Sequence, residues 1–131
     1  MRAPLSPNKH VHAEQYVANF FRSNGWSVEM QQEDSLSADL LIRHGKHRFI
    51  VEIKALSEGR PDRVLPVLSM AILQAKAAAE LSGNALPLAI IFVPEASLSL
   101  AKHVEVFAQK FAKDVPVGVI SGRGEQYFSG E

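Results

Sequence analysis

The chain has 131 residues, of which 47% are hydrophobic, and this length and composition fit one compact domain with a single core. Its 14 Lys and Arg residues balance 14 Asp and Glu residues, so no overall charge draws the protein to nucleic acid or to a membrane. The absence of cysteine excludes a disulfide framework and thiolate-bound zinc.

The N-terminal part of the chain predicts a loose arm followed by a helix. Residues 1–9 contain two prolines and lack the apolar stretch of a signal peptide. A helix is predicted over about residues 10–24, because Phe20 and Phe21 contribute to an apolar face and Gly25 is suited to ending a helix.

Three strands are expected next. In "WSVEMQ", residues 26–31, apolar and polar side chains alternate, which is typical of a half-buried strand. The segment "ADLLIRHGKHRFIVEIKA" predicts a hairpin with strands at about 39–43 and 48–54 and a turn at "HGK".

The rest of the chain alternates helices with strands. "LSEGRPDR" is a loop by its Gly and Pro content, "VLSMAILQAKAAAEL" predicts a helix, and "LPLAIIFVP" predicts a strand buried on both faces. A second helix follows, then the strand "VPVGVIS" and a glycine-containing tail. The inner stripe of that second helix is expected to be Leu100, Val104, Phe107 and Phe111. The order αβββαβαβ predicts an α/β fold with a mixed central sheet flanked by helices.

Charged residues lie inside the apolar strand "FIVEIKA". Glu52 and Lys54 are two residues apart, so both project from one face of a strand. With the turn at Gly45, the hairpin brings Asp39 opposite the region of Glu52 and Lys54. Two carboxylates and one ammonium are therefore expected to meet at one end of the hairpin.

This set of groups suits a hard divalent cation. Mg²⁺ prefers oxygen ligands and usually takes one or two carboxylates together with waters and phosphate oxygens. Asp39 and Glu52 would supply carboxylates, and the backbone carbonyl of Ile53 would supply a further oxygen. Lys54 would hold or help to deprotonate an attacking water and offset charge in a phosphoryl transition state.

The pattern of an Asp, a hairpin and then Glu-x-Lys resembles the PD-(D/E)XK phosphodiesterase superfamily, which includes type II restriction enzymes and Holliday junction resolvases. The matching letters are "AD" at Ala38-Asp39 and "EIK" at Glu52-Ile53-Lys54, with Ala38 where the family often has proline. The family core, αβββαβ, matches the predicted order over residues 10–93. The resemblance implies a restriction-endonuclease-like three-layer fold and Mg²⁺- or Mn²⁺-dependent hydrolysis that leaves a 5′-phosphate.

Two further positions fit the resemblance. Many members carry an acidic residue on the first helix that acts through the metal shell, and Glu14 stands there. Some carry a glutamine on the helix after Glu-x-Lys that positions water or phosphate, and Gln74 matches it. One branch has a tyrosine four residues later, where this chain has Ala78. Plain surface positions for Glu14 and Gln74 remain open.

Basic residues near the predicted site are candidates for contacts with phosphates. They lie in "RHGKHR" and in the loop "EGRPDR", and either group could instead be solvated. His10 with His12 and His44 with His47 suggest zinc only weakly, because no third ligand clusters with them. The candidates for nucleic-acid binding are Arg43, Lys46, Arg48, Arg60 and Arg63.

The predicted protein is a cytoplasmic, metal-dependent nuclease that acts on nucleic acid, with DNA favoured over RNA. The neutral net charge favours a partner protein that supplies affinity for DNA. A homodimer is also expected, because a duplex has two strands to cut. No membrane association is expected. Two alternatives stay open: an inactive nuclease-fold module that binds nucleic acid or protein, and a structural domain in which the Glu52 and Lys54 pair is merely solvated.

Overall fold

The computed structural model describes residues 9–30 and 39–129. The predicted N-terminal arm lies outside these residues except for Lys9, which begins the first helix, and Ala38 of the "AD" pair also lies outside them. The elements in chain order are α1 (Lys9–Ser23), β1 (Ser27–Met30), β2 (Leu40–His44), β3 (His47–Ala55), α2 (Pro61–Ser82), β4 (Leu86–Val93), α3 (Leu98–Phe111), β5 (Val117–Ser121) and β6 (Gln126–Phe128).

The six strands form one mixed sheet in the order β1-β2-β3-β4-β5-β6. Neighbours β1, β2 and β3 are antiparallel, β3, β4 and β5 are parallel, and β6 returns antiparallel to β5. Helices α2 and α3 supply the crossovers that parallel neighbours need. The predicted α/β class, mixed sheet and element order are confirmed, and β6 is an addition from the tail.

The two faces of the sheet have separate cores, because successive side chains of a strand alternate between them. On one face α1 packs through Ala13, Val17 and Phe21 on the sheet, with Ile53 and Ile90 beneath it. On the other face α2 and α3 pack over β4 and β5. The second core includes Val64, Leu68, Ile91, Val93, Leu100, Val104, Val117 and Val119.

Local signals in the sequence account for several element ends. Pro61 stands in the first turn of α2, where its missing N–H costs nothing, and Gly83 ends the helix in the left-handed region at φ 82°. Ser97 caps α3 by accepting a hydrogen bond from the Leu100 N–H at 3.1 Å. The β2–β3 turn is tight, with Gly45 at φ 62°.

The predicted inner stripe of α3 is wrong at its end. Leu100 and Val104 are buried and Phe107 is partly buried, but Phe111 is 72% exposed and Ala108 takes the inner position. Ala108 follows Val104 by four residues on the same helix face, whereas Phe111 is the last residue of α3 and its ring centre lies 5.3 Å from that of Phe107.

Candidate functional site

The β2–β3 hairpin brings the predicted carboxylates to one rung. Leu40 pairs with Val51 and His44 with His47, so the register extends to Asp39 opposite Glu52. The Asp39 N–H donates to the Val51 carbonyl at 3.0 Å, which continues the ladder by one residue beyond β2. The expectation that the hairpin brings Asp39 opposite the region of Glu52 and Lys54 is confirmed, and the register places it at Glu52.

Both side chains lie on the sheet face that carries α2. Leu40 and Val51, their neighbours along the strands, belong to the core under α1, so alternation directs Asp39 and Glu52 to the opposite face. Lys54, two residues after Glu52, shares that face. Near this rung the cover is incomplete, and the side chains of Glu52 and Lys54 are 12% and 24% exposed.

A backbone contact orients the carboxylate of Asp39. Its Oδ2 accepts a hydrogen bond from the Ile53 N–H at 2.8 Å. The N–H and C=O of one residue point to the same side of a strand, so the Ile53 carbonyl is directed toward Asp39 as well. Asp39, Glu52 and the Ile53 carbonyl therefore present oxygen atoms toward one region.

The surroundings of Glu52 act in opposite directions on the pKa of its carboxyl group. Its burial raises the pKa of its carboxyl group above the ordinary value of 4.5, and the nearby negative charge of Asp39 raises that pKa further. Lys54 opposes both effects through a contact of 3.3 Å between its Nζ and Glu52 Oε2, but the net direction is upward. The Glu52 carboxylate would therefore be stabilised in its charged form by a nearby cation.

The donor set fits a magnesium-type ion better than zinc. Across residues 9–30 and 39–129, no group of three or more His, Asp or Glu side chains is placed to hold a metal ion. Two carboxylates and a backbone carbonyl, completed by water and phosphate oxygens, match the way Mg²⁺ is usually bound. His44 and His47 lie on the α1 face, where the His44 ring lies 5.4 Å from that of Trp26.

Glu14 lies at the same end of the sheet as Lys54 but in the opposite layer. The first half of α1 packs over the end of β4, where the Tyr16 and Phe92 ring centres are 5.0 Å apart. Phe92 is level with Ala55, next to Lys54. Glu14 itself is half-buried. Helix α1, which carries Glu14, therefore packs on the other side of the sheet from Asp39 and Glu52.

Gln74 lies level with Glu52 on the correct side of the sheet. Ala78 of α2 packs with Ile50 of β3, and α2 runs back along β3 because it links two parallel strands. Gln74 is one helical turn from Ala78, about 6 Å. Glu52 is two residues from Ile50, roughly 7 Å in the same direction. The Gln74 side chain is exposed beside the rung.

The hairpin cations lie along the same sheet face. Arg43 pairs with Arg48, and alternation puts both on the face of Glu52. Arg48 precedes Glu52 by four residues, roughly 13 Å along the strand. Within the described residues, Arg48 Nε is shielded from solvent and has no hydrogen-bond partner. Lys46 is exposed in the turn.

The loop cations differ from those of the hairpin. Arg60 is already engaged, since its guanidinium lies 3.0 Å from Asp62 Oδ2 and 3.9 Å from Glu58 Oε1. Arg63 is exposed in the first turn of α2. Of the two, Arg63 is therefore better placed to meet a phosphate.

A pocket of about 380 Å³ lies at the carboxyl ends of β3, β4 and β5, and the sequence did not predict it, although Arg60 is among its lining residues. The loops that follow these strands line it, the usual position of a ligand crevice in open α/β sheets. Ser57, Ser97 and Glu125 contribute polar groups. Glu125 is occupied there, because Oε1 accepts from the Ala96 N–H and the Ser121 hydroxyl, both at 2.8 Å. The only sequence signal was that all three loops follow parallel strands.

Comparisons with known proteins do not add a family. A scan against protein-family models matches none, and a search of curated proteins finds no significantly similar sequence.

Proposed function

We propose that this protein is a metal-dependent nuclease of the PD-(D/E)XK type, with a restriction-endonuclease-like fold, that hydrolyses phosphodiester bonds in nucleic acid. The observation that carries the proposal is the rung itself. Asp39 and Glu52 face each other across the hairpin, and Lys54 lies 3.3 Å from Glu52 on the same sheet face. A strand pair holds these groups rigidly, as a catalytic site requires.

Each residue has a distinct role in the proposal. Asp39, Glu52 and the Ile53 carbonyl would hold Mg²⁺ or Mn²⁺, with Glu14 in the outer shell. Such an ion would supply charge neutralisation at the phosphate and a lower pKa of water. Lys54 orients the attacking water or helps to deprotonate it, and Gln74 positions that water or a phosphate oxygen. Water attacks phosphorus, the bond to O3′ breaks, and the products are a 5′-phosphate and a 3′-hydroxyl.

The substrate is proposed to lie along the α2 side of the hairpin, where Glu52 and Lys54 remain partly exposed. Arg43, Arg48 and Lys46 provide positive charge on the side of the turn, and Arg63 provides it at the start of α2, with Arg60 as a weaker contributor. These contacts would hold the phosphate backbone without reading sequence. We favour DNA as the substrate, a cytoplasmic location and no membrane, with a partner protein as an additional source of DNA affinity.

The second candidate is a nuclease-fold module that binds nucleic acid or protein without cleavage. Its support is the neutral net charge and the ion pair that occupies both Glu52 and Lys54.

The test is cleavage of single-stranded, duplex, branched and RNA substrates with Mg²⁺ or Mn²⁺. We expect Glu52→Gln and Lys54→Ala each to lower the rate by at least about a hundredfold, because a ligand or a transition-state charge is lost. Glu29→Gln is the matched control. It makes the same chemical change on the same sheet face, two strands away, and should leave cleavage intact.

Cation binding separates the two candidates. If wild type cuts no substrate but Mg²⁺ still raises its melting temperature, and Glu52→Gln abolishes that rise, the inactive module is favoured. Equal cleavage by Glu52→Gln and wild type would remove Glu52 from the mechanism.

A further inference from the structure

Helix α2 has a second apolar face that is exposed to solvent in the described chain. Its inner face, which includes Val64, Leu68 and Ala75, is buried on the sheet. The opposite side carries an outer stripe at spacings of four, three, four and four residues, which follows the helical period. Met70, Leu73 and Leu81 are 53%, 67% and 71% exposed. The outer stripe consists of Pro66, Met70, Leu73, Ala77 and Leu81, all exposed.

An amphipathic helix on a protein surface normally directs polar residues outward, and a helix that is apolar on all sides is normally covered. By length and composition α2 could cross a membrane, but a third of its most apolar 18-residue window is buried in the fold. Its inner face is already used by β3 and β4, so only the outer stripe needs a partner.

The charges beside the outer stripe argue against an anionic partner. Within Pro61–Ser82, Asp62 and Glu80 balance Arg63 and Lys76. A helix that binds an anionic membrane surface is usually rich in Lys and Arg on its polar side. A neutral, balanced surface can meet an identical surface without repulsion.

The spacing of the outer stripe is self-complementary when two copies of α2 run antiparallel. With a two-fold axis beside Leu73, Met70 lies against the partner's Ala77 and Pro66 against the partner's Leu81. A large side chain then meets a small one, the condition for close packing. A parallel arrangement would place Ala77 against itself and leave a gap, and it would align the helix dipoles unfavourably.

The exposed area agrees with such an interface. Three large side chains at roughly 100 Å² each, with Pro66 and Ala77, give about 400 Å² of apolar surface per copy. A standard interface buries about 800 Å² per partner, of which somewhat more than half is apolar.

We propose that a second copy of this chain covers the outer stripe, forming a two-fold dimer with antiparallel α2 helices. The outer stripe is on the side of α2 that faces away from the sheet and its Asp39–Glu52 rung, so this pairing does not bury the rung. The same register brings Gln74 beside the partner's Leu73. The proposal is independent of the nuclease activity, and either can fail alone.

Charge-swap variants at Leu73 test the dimer by analytical ultracentrifugation. Wild type should sediment as a dimer in the micromolar range. Leu73→Glu and Leu73→Lys should each be monomeric, because like charges meet at the axis, whereas their equimolar mixture should regain the dimer. Leu98→Glu, at an 85% exposed position on α3, is the matched control and should remain dimeric.

Several outcomes would overturn the dimer: a monomeric wild type at all soluble concentrations, a dimeric Leu73→Glu, or a mixture that stays monomeric. Circular dichroism of each variant reports whether it is folded. Binding of wild type to phosphatidylcholine vesicles that Leu73→Glu abolishes would assign the stripe to a membrane instead.

Orientation is tested with single cysteines, since the chain has none of its own. A mixture of Met70→Cys and Ala77→Cys chains should form an oxidative cross-link between copies, and each variant alone should cross-link less. Preferential cross-linking of Met70→Cys chains to each other would exclude the antiparallel arrangement.

Discussion

The carboxyl group of Glu52 is subject to opposing effects at short range. Burial and the charge of Asp39 raise its pKa, and Lys54 lowers it only in part. Groups with strongly shifted pKa values concentrate at functional sites, because catalysis and binding need charged groups in places where a purely structural core would have apolar side chains. In the sequence this conflict appeared as a carboxylate inside an apolar strand.

The raised pKa of Glu52 predicts a pH dependence of stability. The pKa of the Glu52 carboxyl group in the folded state lies above its ordinary value of 4.5. The stability that this group contributes is therefore complete at a pH below 4.5, and it is lost as the pH rises through the raised pKa. Thermal unfolding with a chelator present should therefore show Glu52→Gln gaining stability relative to wild type over that window. Glu29→Gln should follow the wild-type profile. Parallel curves for Glu52→Gln and wild type would show that folding does not perturb the Glu52 carboxyl.

At the scale of elements, the sheet positions the site through register and alternation. The two-residue turn at Gly45 and Lys46 sets the pairing of β2 with β3, and a shift of one residue would move Glu52 to the α1 face. At the edge of the sheet opposite β1, strand β6 pairs with β5 and brings Phe128 against Gly118. This edge was not predicted in detail, because three residues give too short a pattern to identify a strand.

Gly118 is required by the approach of Phe128. A Cβ at this position would lie 2.5 Å from Phe128 Cε1 and 2.8 Å from Ile90 Cδ1. We expect Gly118→Ala to destabilise the protein by about 1–3 kcal/mol in urea unfolding, as overpacked cores do. In a Phe128→Ala background the same change should cost less, since the nearest atoms are gone. An equal cost in both backgrounds would show that the ring moves aside freely.

For the whole molecule, net charge gives no attraction to nucleic acid, so affinity depends on where the cations lie. Arg43 and Arg48 occupy one rung of the hairpin on the face of Glu52, and Lys46 is exposed at its turn. Other cations lie on α3, on the same side of the sheet but over β4 and β5. The proposal therefore depends on a local patch and predicts that equal changes of charge elsewhere have little effect.

Salt dependence tests this patch. Arg43→Ala with Lys46→Ala should weaken binding to a duplex DNA probe and reduce the slope of log K against log salt by up to about 1.8, because up to two phosphate contacts are lost. Lys102→Ala with Lys110→Ala removes the same charge from exposed positions on α3 and should leave the slope unchanged. Identical slopes for the hairpin variant and wild type would place the nucleic acid elsewhere.

By itself the sequence determined the element order, the mixed sheet and the approach of Asp39 to the region of Glu52 and Lys54. Each of these follows from local periodicity and from the position of Gly45, which act over a few residues. Only the tertiary structure decided which face each group shares. It placed Gln74 level with Glu52, and it placed helix α1, which carries Glu14, on the other side of the sheet. It also left Phe111 and the outer stripe of α2 exposed. Those outcomes depend on how helices pack across the sheet, between residues far apart in the chain, and a local pattern does not encode that packing.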